Sequence, residues 1–190
     1  MIVPRKLFGG LGNRLFQMAY IFAQVRKGTI PDIYVQDPKY FEGIKGDIKR
    51  MFGQGVGKID RISIHIRRGD YTGNSFYVDL CQTDYYDKAI AEFPGEKFLV
   101  FCKDGQGAEK DEADREWCEA NFSGADFEFA SGEDEIEDFN KMASCKGHIM
   151  ANSSFSWWAS FIGGGKTVCP RLWFSSGQPG IPPQDNWIQI

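Results

Sequence analysis

The sequence predicts an α/β fold, a parallel β-sheet covered by helices on both faces. From residue 60 onward, short apolar runs rich in Ile, Val and Phe alternate with amphipathic segments of helical period. Strands interleaved with helices of that length build parallel sheets rather than hairpins. The chain has 190 residues, 42% hydrophobic and 25% charged, which suits one sizeable domain or two small lobes.

The elements follow in order. Residues 11–27, LGNRLFQMAYIFAQVRK, place Leu11, Leu15, Met18, Phe22 and Val25 at helical spacing, with Lys27 and Gly28 as a basic last turn and a stop. DIYVQD (32–37) is a candidate strand. Residues 38–58 are rich in Gly and Lys with weak periodicity, open to loop, short helix or flap. RISIHI (61–66) reads as strand and DYYDKAIAEF (84–93) as helix, stopped by Pro94-Gly95. KFLVFCK (97–103), DFEFA (126–130), GHIMA (147–151) and KTVCP (166–170) read as strands. Between them lie helices at 109–121, 133–145 and 153–162, the second turning Ile136, Phe139, Met142 and Ala143 inward. The tail from Pro170, rich in Pro, Gly and Trp, is expected to cross the domain as irregular structure. A boundary near residue 58 would divide a small N-terminal lobe (1–58) from a larger α/β lobe (59–190), with a cleft between them.

Composition narrows the function classes. A net charge of −4 argues against nucleic acid or anionic lipid as partner. Two histidines, His65 and His148, without ligand-spaced partners argue against zinc. Cys81, Cys102, Cys118, Cys145 and Cys169 show no CxxC spacing and read as buried thiols. Their odd number, with no signal-like start and no long apolar run, points to a reducing, cytoplasmic setting. Trp157 and Trp158 read as core, and the tail aromatics Trp173, Phe174 and Trp187 as closing it, with a dimer surface as the alternative.

Three motifs carry chemistry. GGLGN (9–13) opens a helix, where glycines admit a ligand close to the backbone and unpaired N–H groups favour an anion; a plain tight turn is the rival. In HIRRGDY (65–71), alternation puts Ser63, His65 and Arg67 on one face and Ile62, Ile64 and Ile66 on the other, with Arg68 projecting away. One arginine can then hold a phosphate while the other braces the loop through Asp70; a surface Arg–Asp pair competes, and for His65 alone a hydrogen-bonded core histidine is the rival. ANSSFSWWASF (151–161) turns from strand into helix on Asn-Ser-Ser, which suits phosphate binding or ordinary N-capping by Ser153 or Ser154.

In this order the three motifs, with the ending PRLWF…NWIQI, resemble the α1,2-fucosyltransferase family. HIRR is similar to the signature shared with α1,6- and protein O-fucosyltransferases. The resemblance covers residues 1–27 and nearly all of 60–190. It implies a GT-B-like enzyme with a Rossmann-type C-terminal lobe, moving fucose from GDP-fucose to a glycan hydroxyl with inversion and without a metal or other cofactor. By motif, Arg67 would grip the β-phosphate as the catalytic cation, with His65 near the nucleotide and Arg68 supporting the strand end. Gly10, Gly12 and Asn13 would face the pyrophosphate and sugar, and Ser153, Ser154 and Phe155 would hold phosphate. Asp138 would read guanine through N1–H and N2–H. The base is open among Asp70, Asp32, Asp37, Glu42 and Asp47.

The sequence departs from the family in Arg14, where Gln is usual, in FCKD at the end of the second strand, and in a short span before HIRRGDY, the expected acceptor side. Alternatives are a transferase using another nucleotide sugar, or a non-catalytic nucleotide-sugar or glycan-binding module.

Overall fold

The computed structural model describes residues 7, 9–27, 36–102, 108–131 and 134–190. Most of the candidate strand at 32–37 lies outside these residues. The elements are α1 (Leu11–Lys27), a 3-10 segment (Pro38–Ile44), α2 (Lys45–Phe52), β1 (Ile59–His65), α3 (Tyr85–Ala91), β2 (Phe98–Phe101), α4 (Ala108–Asn121), β3 (Phe127–Phe129), α5 (Glu135–Ser144), β4 (Cys145–Ile149), α6 (Ser154–Gly163), β5 (Lys166–Cys169) and β6 (Ile188–Gln189). All pairings in the six-stranded sheet are parallel, in the order β3-β2-β1-β4-β5-β6. This is the strand order of doubly wound nucleotide-binding sheets.

Two apolar layers cover the sheet. Ile62, Ile64 and Ile66 pack with Tyr85, Tyr86 and Ala89 of α3 and Cys118 of α4. The other layer is built on α6, whose Trp157 and Trp158 are fully buried, as the sequence predicts. Phe16 of α1 meets Trp158 edge-on at 4.7 Å, and Phe41 stacks on the same indole at 5.3 Å. Ile48 of α2, with Phe139 and Met142 of α5, completes that cluster. The described part of the first 58 residues thus shares its hydrophobic core with α6, and the stretch at 38–52 is a 3-10 turn followed by a helix.

Two inward faces differ from expectation. In α1 the buried side chains are Leu15, Phe16, Ala19 and Ala23, whereas Met18 is 42% and Phe22 37% exposed. Small alanines leave room on this face while Phe16 packs against both indoles. The spacing of large apolar residues alone misses such a face. In α5 Phe139, Met142 and Ala143 are buried as expected, but Ile136 in the first turn is 54% exposed.

The tail is more regular than expected, since Ile188 and Gln189 extend the sheet beside β5. Trp173, Ile181 and Trp187 are buried and close the core. All five cysteines are free, four of them buried. Among the described residues no helix is long and apolar enough to cross a membrane.

Candidate functional site

In this topology the connections leaving β1 and β4 diverge to opposite faces, opening a crevice at the carboxyl ends of the two strands. Two of the three motifs are those connections. Residues 66–71 leave β1 and residues 150–153 leave β4. The Tyr71 hydroxyl donates to the Asn152 carbonyl at 3.1 Å and joins them.

The β4 side runs into α6. Ser153 is extended and its Oγ accepts from the Phe155 amide at 3.3 Å, an N-cap that starts the helix. The first amides of α6 and the positive end of its dipole therefore face the crevice. The third motif closes on the same point. Gly9 has φ +80°, a left-handed turn that delivers the chain into α1. A Cβ on Gly12 would lie 2.5 Å from the Ser154 carbonyl carbon and 2.6 Å from the Phe155 nitrogen, so the first turn of α1 presses directly on that of α6. Asn13 Oδ1 accepts from Ser154 Oγ at 3.0 Å and from Gln36 Nε2.

These elements enclose a cavity of about 910 Å³, at the upper end for small-molecule sites. Of the residues singled out in the sequence, Gly10, Gly12, Asn13, His65, Arg67, Asp138, Ser153, Ser154 and Phe155 line it together. Arg68 does not. Its Nε donates to Asp114 Oδ1 at 3.1 Å, its guanidinium lies 4.2 Å from the Trp117 ring centre, and Asp114 Oδ2 accepts from the Gly69 amide at 2.9 Å. The arginines therefore divide the work differently than expected. Arg68 braces the loop through Asp114 on the far face, while Asp70 accepts from Arg67 itself, at 3.1 Å from Nε and 2.9 Å from Nη2. That bond holds the Arg67 guanidinium at the cavity wall, 5.2 Å from the Tyr71 ring centre.

Residues 17–172 match the family model of Glycosyl transferase family 11. The chain belongs to that family. It is 31% identical over 141 residues to the O-antigen biosynthesis glycosyltransferase WbnK of Escherichia coli, covering 67% of this chain and 44% of the relative. It is 33% identical over 146 residues to an Escherichia coli alpha-1,2-colitosyltransferase, covering 68% and 47%. With human galactoside alpha-(1,2)-fucosyltransferase 1 it shares 31% identity over 123 residues, covering 56% and 30%. The chain spans less than half the length of these curated relatives.

The electrostatics of the cavity are local. Arg67 is the one cationic side chain among the described residues lining the cavity, against Asp70, Asp111, Asp134, Glu135 and Asp138. Arg14 stands just outside, paired with Glu135 across the gap between α1 and α5. His65 is buried, its Nδ1 without a hydrogen-bond partner among the described residues. Burial, with the Arg67 charge second, lowers its pKa to about 3, so it serves as a neutral imidazole. Of the open base candidates, Asp70 lines the cavity; Asp37 caps the 3-10 segment, while Glu42 and Asp47 pair with Lys45 and Arg50. Asp32 lies outside the described residues. Among the described residues no cluster of His, Cys, Asp or Glu is arranged to hold a metal ion.

Sequence reasoning missed Asn152 and the aromatic wall. Asn152 Nδ2 donates to the carbonyls of Val78 at 2.9 Å and Trp173 at 3.1 Å, tying the β4 connection to two distant segments. Tyr71, Phe76, Tyr77, Trp173 and Phe174 line one side of the cavity. Their sequence signal is present, since FY follows HIRRGDY closely and WF stands in the tail, but nothing local joins the two pairs.

Proposed function

We propose that this chain is a GDP-fucose-dependent transferase of the GT-B-like, inverting, metal-independent kind, acting on a sugar hydroxyl in an α1,2 manner. The carrying observation is convergence: one fixed guanidinium, the amides heading a ten-residue helix and a glycine turn meet in one crevice of a family 11 chain. Such a set suits a diphosphate. As the bond between fucose C1 and the β-phosphate oxygen breaks, charge grows on that oxygen, and Arg67 with the α6 dipole stabilises it more in the transition state than in the ground state. A guanidinium that cannot lose its proton supplies the charge that other transferases draw from a divalent ion. His65, neutral and part of the cavity lining, sets an imidazole beside the donor without adding charge. Asp138 suits the guanine edge, and Asp70 takes the proton of the attacking hydroxyl.

Titration calorimetry with GDP, GDP-fucose, GDP-mannose and UDP-galactose, followed by transfer assays, tests the reading. GDP-fucose is expected to bind and turn over, with the uridine donor silent. Equal binding of guanine and uracil nucleotides would remove Asp138 from its role. The similarity to a colitosyltransferase supports a second donor, so a colitosyl donor belongs in the same series. Binding without turnover across a glycan panel would instead make the chain a nucleotide-sugar-binding module.

A further inference from the structure

Phe76 is 60% exposed, the most open large hydrophobic side chain among the described residues. It sits at the rim of the cavity, and it is held there. Its amide donates to Asn74 Oδ1 at 3.0 Å and its carbonyl accepts from the Ser175 amide at 3.0 Å. Tyr77 and Phe174 form an antiparallel bridge, reinforced by Val78 N–H donating to the Trp173 carbonyl at 3.1 Å and Ser175 Oγ donating to the Tyr77 carbonyl at 2.8 Å. The rings interlock. Tyr71 and Tyr77 stack at 4.0 Å, while Phe76 stands edge-on to Tyr77 at 5.0 Å and to Phe174 at 5.1 Å. The fold gains little from a phenyl ring in water at this position, where a polar residue would keep the same backbone bonds. An ordered aromatic rim beside a polar cavity is instead suited to a ligand with one apolar face, because the ordering cost is already met.

We propose that Phe76, Tyr77 and Phe174 form the acceptor platform, taking the C–H face of a neutral pyranose at the end of the acceptor glycan. The inference rests on the donor reading above. A pyranose offers an apolar C–H face and a rim of hydroxyls. With the face on these rings, the rim turns toward Asp70 and Arg67, which lead into the same loop and line the inner wall. Asp70 accepts hydrogen bonds from sugar hydroxyls, and Arg67, the one cationic side chain among the described lining residues, faces Asp70 and the donor phosphate, so no further cation meets an acidic sugar and the platform suits neutral acceptors. Acceptor contact thereby moves from the first 58 residues, where the sequence placed it, to the loop after β1 and the tail.

The test uses the whole chain with GDP-fucose and two probes, lactose and 3′-sialyllactose. Phe76→Ala is expected to raise the lactose KM about tenfold, the upper end for one aromatic contact, while the GDP dissociation constant stays within about twofold. Phe76→Tyr should restore the KM. The sialylated probe should be the poorer acceptor of the wild-type chain. An unchanged lactose KM in Phe76→Ala and in the Phe76→Ala, Phe174→Ala double variant would overturn the platform. Should lactose not be a substrate, saturation-transfer NMR of neutral methyl pyranosides with GDP present decides the same question: transfer to the sugar that is lost in Phe76→Ala supports the platform, and transfer equal in wild type and in the Phe76→Ala, Phe174→Ala double variant overturns it. Loss of GDP binding by the wild-type chain would instead sink the donor reading.

Discussion

Gly12→Ala is the sharpest perturbation of the site, because a single methyl group meets backbone rather than a movable side chain. The new Cβ would lie 2.5 Å from the Ser154 carbonyl carbon and 2.6 Å from the Phe155 nitrogen. Ordinary contact needs about 3.5 Å, so the first turn of α1 must retreat from that of α6 by about 1 Å. Two consequences follow. Overpacking of this size costs about 1–3 kcal/mol, which for a chain of this length lowers Tm by roughly 2–12 °C. A 1 Å displacement of positioning groups also costs about 10²-fold in rate, since Asn13 and the α6 amides would no longer share one geometry. Gly10→Ala is the internal control for stability, because nothing lies within 4 Å of its Cβ and its φ is ordinary. It should leave Tm within about 1 °C. The assay is a thermal melt of both variants, then calorimetry with GDP and a transfer assay for Gly12→Ala. Wild-type melting and transfer in Gly12→Ala would refute the close approach of the two helices.

The other predictions concern the arginines and the histidines. Arg68→Ala leaves Asp114 buried with no opposing charge, its Oδ2 still accepting from the Gly69 amide, and a loss of about 3 kcal/mol is expected by chemical denaturation; unchanged stability would contradict its bracing role. Arg67→Lys keeps a charge but not the planar fork, so turnover should drop about 10²-fold with the melt unchanged; near-normal turnover would count against it. Burial holds the pKa of His65 at about 3 and of His148 at about 4, below the ordinary 6.5. The unfolded chain then takes up protons that the folded chain refuses. Stability is full above pH 6.5 and falls as pH drops toward 4, by about 1.4 kcal/mol per unit for each histidine. Urea midpoints at pH 7, 6 and 5 measure this, and a flat profile would show that neither imidazole is kept neutral by burial.

The alternation of apolar runs and amphipathic helices was enough to read β1 to β5 and α3 to α6, because each pattern has its own period. Alternation also separated Ile62, Ile64 and Ile66 from His65 and Arg67. What escaped depended on partners distant in sequence. The face of α1 was misjudged because alanines pack where the neighbour is close, and nothing local announces the neighbour. Asp70 was assigned to the wrong arginine because Asp114, 46 residues away from Arg68, is the true brace. The strand at Ile188–Gln189 is too short to show a period. Asn152 carries no local signal of its role, since its amide binds carbonyls 74 and 21 residues away.

A crystal structure of this chain with GDP tests the central claim most directly. The β-phosphate is expected within hydrogen-bonding distance of both the Arg67 guanidinium and an amide in the first turn of α6, with the guanine ring beside Asp138. A nucleotide bound elsewhere, or one whose phosphates meet only one of those two groups, would contradict the account.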